Sequence, residues 1–299
     1  MAVERLNREE FFAKLAPMDE AELRKTLWTL YWRGTAPVRE RIEALLDPPS
    51  DAGVRAGREA AALPDAAAVL AQVREFAALA RRGGYLGRDR RVSPKERSRW
   101  RFTFRNHAVR SVEALRGEDI ESAGAAVAIM VDLACETRGY DYFRSEDPVE
   151  AARFVVSDAI AELWTQMQRT YGVDGLIERA VGQLVRWESR YGWSRRGEGW
   201  VSQHETSLAN VLARLLVAPE SWTAAARRYL DELDRFGGRG RQQRAEDLAE
   251  WNALLIDRLL GSDGEELLDR LVAHPALAGR QAAVLRAHLM MRRGESDDG

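Results

Sequence analysis

"SPKERSRWRFTFRNHAVRSVEALRG", residues 93–117, reads as one complete helix with its start, face and stop all written out. Ser93 and Glu96 stand at capping-box spacing, so each side chain can satisfy an amide that the first turn leaves free. Pro94 follows at the first helical position, where its missing N–H costs nothing and its fixed φ suits the turn. Trp100, Phe104, Ala108, Ser111, Val112 and Leu115 recur on one side at helical spacing, and Gly117 can close the segment in a left-handed conformation. The stripe assigns Trp100 and Phe104 to a core, while Phe102 points away from it.

The same punctuation recurs along the chain, and strand signals are nearly absent. Asn7 with Glu10, Asp19 with Glu22, Asp147 with Glu150 and Ser202 with Glu205 repeat the capping-box spacing; Pro148 again follows its cap. Glycines 34, 83, 139, 172, 192 and 261 each end a periodic segment. Candidate caps at Asp65, Ser93, Asp119, Asp147, Asp174 and Ser202 lie 28, 26, 28, 27 and 28 residues apart, a cadence of one long helix per step. The expectation is an all-α, antiparallel multi-helix array or bundle, α-solenoid-like, of about a dozen helices, with successive members at 65–82, 94–116, 119–138, 148–171 and 174–191. The period fits none of the common two-helix repeats, and no repeated side-chain signature or family resemblance underlies it.

Composition divides the chain further. Residues 47–64, rich in Pro and Gly, read as a linker between an N-terminal helical segment (1–46) and a main array (65–236). "FGGRGRQQR", residues 236–244, marks a weaker break before C-terminal helices at 242–293, and 294–299 read as a disordered tail. With 45% apolar and 31% charged residues, the 299-residue chain can bury a large core. The lone Cys135 cannot form an internal disulfide, the charged opening "MAVERLNREEFF" is unlike a secretory signal, and no apolar run approaches the roughly 20 residues that cross a bilayer. A cytoplasmic protein with no membrane partner is expected.

Charge is segregated. Residues 81–105 hold ten basic residues against two acids, a local +8 in a chain whose formal net charge is -2. Three lysines against forty-two arginines reflect a general arginine bias, but that bias does not explain the clustering. The loop arginines Arg88, Arg90 and Arg91 beside Tyr85, with Arg97 on the following helix, can attract phosphate or an acidic protein face. The segment lacks the Lys and Ser/Thr ending of a nucleotide-binding P-loop. Two further turns carry aromatic and arginine side chains: "TRGYDYFRSEDP" (137–148) with Tyr142, and "RWESRYGWSRRGEGWVSQHE" (186–205) with Trp193, Arg195, Arg196 and Trp200. Burial of Trp193 and Trp200 as lids over helix ends competes with a contact role. In an antiparallel array the turns at 83–92, 139–147 and 192–201 fall at one end and share an edge.

Signals for chemistry are sparse. The four histidines are scattered, Cys135 has no base partner in sequence, and no serine nucleophile motif occurs. Asp132 with Glu136 and Asp158 with Glu162 form i, i+4 carboxylate pairs that could hold a metal if they faced one another, although both lie opposite their apolar stripes. The expectation is therefore a non-enzymatic helical scaffold or adaptor, without cofactor, catalytic residues or metal, binding a protein partner through the Arg/aromatic edge. A nucleic-acid-binding protein using 81–105, and an all-α enzyme or metal protein using the helical carboxylates, are the alternatives.

Overall fold

The computed structural model describes residues 14–33, 63–189, 193, 199–235, 241–277 and 280–297. The chain divides into two compact units, Met1–Ala62 and Leu63–Gly299. Among the described residues there are thirteen α-helices, two short 3-10 turns and no strand. In the first unit, α1 (Glu20–Arg33) opens on a reciprocal capping box: Glu22 N–H donates to Asp19 Oδ1 (2.7 Å) and Asp19 N–H to Glu22 Oε2 (3.3 Å). It buries none of its residues.

The second unit begins with α2 (Ala66–Arg81), α3 (Pro94–Ala114), α4 (Ile120–Glu136), the single-turn α5 (Pro148–Ala152) and α6 (Val156–Trp187). It continues through α7 (Trp200–His204), α8 (Leu208–Leu215), α9 (Pro219–Arg235), α10 (Arg241–Asp247), α11 (Ala249–Leu259), α12 (Glu266–Ala273) and α13 (Arg280–Asp297). Helix α4, "IESAGAAVAIMVDLACE", is apolar around most of its circumference, as a helix enclosed by others must be. It packs against α2, α3 and α6. Helix α9 packs on α6 and on α11, where Trp222 stacks on Trp251 (5.6 Å) and Tyr229 donates its hydroxyl to Asn252 (2.8 Å). One continuous apolar core runs from Ala66 to Leu289.

The 32 residues of α6 do not form a straight rod. Gly172 has φ 71° and ψ -176°, and nothing lies within 4 Å of where its Cβ would stand. Trp164 Nε1 donates to Gln183 Oε1 at 2.7 Å, although 19 residues of unbroken helix would separate them by about 28 Å. The chain therefore reverses at Gly172, and the two halves of α6 lie side by side.

The cadence of caps holds as far as Asp147 and then fails. Asp65, Ser93, Asp119 and Asp147 each accept from a first-turn amide, and Ser93 with Glu96 forms the full box. Helix resumes at Val173 directly after the reversal, and Ser202 lies within α7, whose cap position is Gly199. The expected helix over 148–171 is also corrected: it is interrupted at Arg153, which adopts a left-handed φ of 51°. The N-terminus of α6 is closed instead by the carboxylate of Glu205, which accepts from Val156 N–H (2.5 Å) and Ser157 N–H (2.9 Å). Helix α13 continues through residues 294–297, where a tail was expected. Asn7, Glu10, Gly34 and Gly192, and nearly all of the expected linker, lie outside the described residues.

Candidate cation-rich interface

The basic loop is anchored from below. Tyr85 (6% exposed) and Val92 (3% exposed) face inward, and a Cβ on Gly84 would come within 2.9 Å of both the Leu79 carbonyl oxygen and Val92 Cγ2, so the backbone can approach α2 only at a glycine. Asp89 then organises the rim: its carboxylate accepts from Arg91 N–H (3.0 Å) and Arg91 Nη2 (2.7 Å), with Arg82 at 3.8 Å. Bonding to Arg91 holds the Asp89 carboxyl down at about 2. Arg97 reaches back to the Val92 carbonyl oxygen (3.0 Å).

Three of the ten basic residues in 81–105 are paired with carboxylates: Arg81, Arg82 and Arg91. The remaining seven are Arg88, Arg90, Lys95, Arg97, Arg99, Arg101 and Arg105, and none has a carboxylate within ion-pair distance among the described residues. All except the half-buried Arg97 are exposed. Phe102 is 60% exposed beside them, with the Arg101 guanidinium 4.8 Å from its ring centre.

The first two turns meet, and the described flanks of the third are tied to neighbouring helices, through contacts that no local pattern announces. Phe143, in the turn between α4 and α5, inserts its ring against Trp100 (4.4 Å) and Tyr85 (5.4 Å), welding that turn to the underside of the basic loop. At the ends of α2 and α4, Arg81 donates twice to Glu136, both bonds 2.9 Å. Asp132 accepts from Trp187 Nε1 (2.8 Å) and Arg186 Nη2 (2.7 Å), bringing the end of α6 to the same place. Glu150 of α5 accepts from Trp200 N–H (3.0 Å) and Val201 N–H (2.7 Å), which ties the start of α7 alongside.

The side chains singled out for contact therefore differ in placement. Arg88, Arg90 and Arg91 are exposed, Tyr142 is half-buried and stacked on Tyr140 (6.0 Å), and Trp200 is 40% exposed with the Arg153 guanidinium 5.6 Å from its ring centre. Tyr85 and Trp193 (2% exposed) are core residues, and so are Trp100 and Phe104, as the helical stripe required. Tyr85 was expected at the contact edge, and for Trp193 a contact role competed with burial as a lid; both rings are buried, and the contact role of each is corrected accordingly. Arg195 and Arg196 lie outside the described residues.

Asp132 and Glu136 are engaged by Arg186, Trp187 and Arg81, and among the described residues no three His, Cys, Asp or Glu side chains gather as a metal site would require. Burial nonetheless raises the Asp132 carboxyl, because the second half of α6 covers the face opposite its apolar stripe. Burial pushes the Cys135 thiol up to about 12, far from the thiolate a nucleophile needs. Compared with known protein families, curated proteins and solved structures, the chain matches none.

Proposed function

We propose that this protein is a non-enzymatic helical scaffold that docks an acidic segment of a protein partner on the cation-rich face formed by the 83–92 loop and the first half of α3. The observation that carries this reading is the set of seven unpaired cations on one continuous stretch, in a molecule that pairs many of its other arginines with carboxylates. Arginines are good contact residues because a planar guanidinium binds a carboxylate through two parallel hydrogen bonds. A surface kept positive by its own fold attracts an acidic partner at long range and registers it at short range. A protein partner is favoured over single-stranded nucleic acid because Tyr85, Trp100 and Phe104 are used in the core, which leaves Phe102 as a single exposed ring on the basic stretch and no succession of rings along which bases could stack.

The test is fluorescence anisotropy of the full chain with a Glu/Asp-rich peptide, and with single- and double-stranded DNA, at low and physiological salt. The informative variant is Arg88→Glu with Arg90→Glu and Arg101→Glu, which spares Arg91 because that side chain holds the loop through Asp89. Salt-sensitive peptide binding, weakened about tenfold or more by the triple variant, is the expected result. Tight duplex binding with no peptide binding would replace the protein partner with nucleic acid, and no binding of either at low salt would remove the interface.

A further inference from the structure

Between α3 and the start of α6 lies a largely apolar groove of about 290 Å³, floored by Ala108, Val109, Val112, Val155 and Ala159, with Trp200 at its side. Four charges line it: Arg105 and Glu113 on α3, Arg153 and Asp158 on the opposite wall. None of the four has an ion-pair partner within 4 Å among the described residues; burial raises the Asp158 carboxyl, and the field of nearby His204 opposes that by favouring the carboxylate. The two walls run in the same direction, because Phe104 meets Phe154 (5.7 Å) and, further along, Arg116 meets Glu162 (3.8 Å). The arginines therefore stand toward one end and the acids toward the other. Eight residues of helix separate Arg105 from Glu113, about 12 Å along the axis.

The cationic end is held in place. Arg153 occupies a left-handed conformation (φ 51°) that is uncommon for a residue with a side chain, and its guanidinium lies over the Trp200 ring. The two amides donated to Glu150 fix the backbone at Trp200, and its ring stacks on His204 (4.1 Å). A prepositioned cation, an apolar floor and a pair of carboxylates at the far end specify a ligand charged at both ends and apolar between. A simple anion would leave the acids unmatched, and a simple cation the arginines.

We propose that this groove binds a small zwitterion with an apolar body, its carboxylate against Arg105 and Arg153, its chain along the floor, and its ammonium between Glu113 and Asp158. The volume suits a small molecule and not a folded partner. The site shares Arg105 with the proposed interface but does not rest on it, since Arg153, Glu113 and Asp158 lie outside the basic stretch.

Isothermal titration of the full chain with ω-aminooctanoate, octanoate and octylamine tests it. The aminooctanoate should bind about tenfold more tightly than either single-ended analogue, the worth of one charge-assisted hydrogen bond. Arg153→Gln should erase its advantage over octylamine, and Asp158→Asn its advantage over octanoate. Val109→Trp, at a 44% exposed position on the floor, should abolish binding of all three while the far-ultraviolet dichroism stays that of the parent. No binding of the aminooctanoate, equal binding of the three probes, or a preference that survives both charge variants would each overturn the proposal.

Discussion

At the scale of single residues, the buried glutamates bear most directly on stability. Glu188, 2% exposed, accepts from Ala209 N–H (2.7 Å) and Ser189 N–H (2.8 Å) and so closes the start of α8; Glu205 does the same for α6. Burial outweighs these bonds and pushes both carboxyls from 4.5 up to about 7, helped by the negative charge of Glu250 near Glu188 and of Asp158 near Glu205. Each then binds its proton more tightly in the folded chain than in the unfolded one. The stability they contribute is complete below about pH 4.5 and is lost as pH rises through about 7. For Glu188 the span is worth roughly 3 kcal/mol. Thermal unfolding midpoints recorded from about pH 5 to about pH 8 should fall, and Glu188→Gln should make that slope shallower, with Glu205 keeping the rest; a parent midpoint that rises over the same interval contradicts the assignment. Phe143 makes a simpler case. Its ring is 2% exposed and touches Trp100 and Tyr85, so Phe143→Ala should cost about 3–5 kcal/mol in urea unfolding, whereas Tyr140→Ala, at a 64% exposed ring, should stay within about 0.5 kcal/mol.

At the scale of elements, local signals were legible and distant ones were not. Asp65, Ser93, Asp119 and Asp147 could be read as caps because a cap and its amide lie within three residues of each other. The amides at the start of α6 are served by Glu205, 49 residues further on, and no window on the sequence joins them. Spacing alone promoted Ser202 and Asp174 to caps for the same reason: a recurring interval, and at Ser202 a capping-box pattern, say that a cap is possible, and tertiary packing decides whether it is used. Gly172 was correctly read as a stop, but its sharper role, turning α6 back on itself, depends on Trp164 meeting Gln183. Because its surroundings are open, the strain of a side chain at φ 71° is isolated from any clash. Gly172→Ala should therefore lower stability by about 1–2 kcal/mol, while Gly139→Ala, at an equally open position without a positive φ, should be close to neutral. Equal effects in chemical denaturation would remove the reversal as the cause.

At the scale of the whole molecule, the all-helical array was legible because periodic stripes and glycine stops recur at every step. The placement of the aromatic side chains was not. A tyrosine in a basic loop carries no periodic mark of burial, and Tyr85 is inside only because Phe143, from a turn 58 positions away in sequence, supplies its packing partner. The exposure of Arg88, Arg90 and Arg91 was accordingly legible, and the burial of Tyr85 was not. Among the described residues the continuous core begins at Ala66, and α1 buries none of its own side chains. Leu63–Gly299 is a compact unit with a large core of its own, and such a domain holds the interactions that set its cooperativity. A chain beginning at Leu63 should therefore fold, with helical dichroism per residue at least that of the parent and an unfolding midpoint in urea that matches it. It should also keep the salt-sensitive affinity for the acidic peptide, since every cation assigned to that face lies beyond residue 63. A fragment that is soluble but lacks a cooperative transition would show that the first unit contributes to the stability of the second.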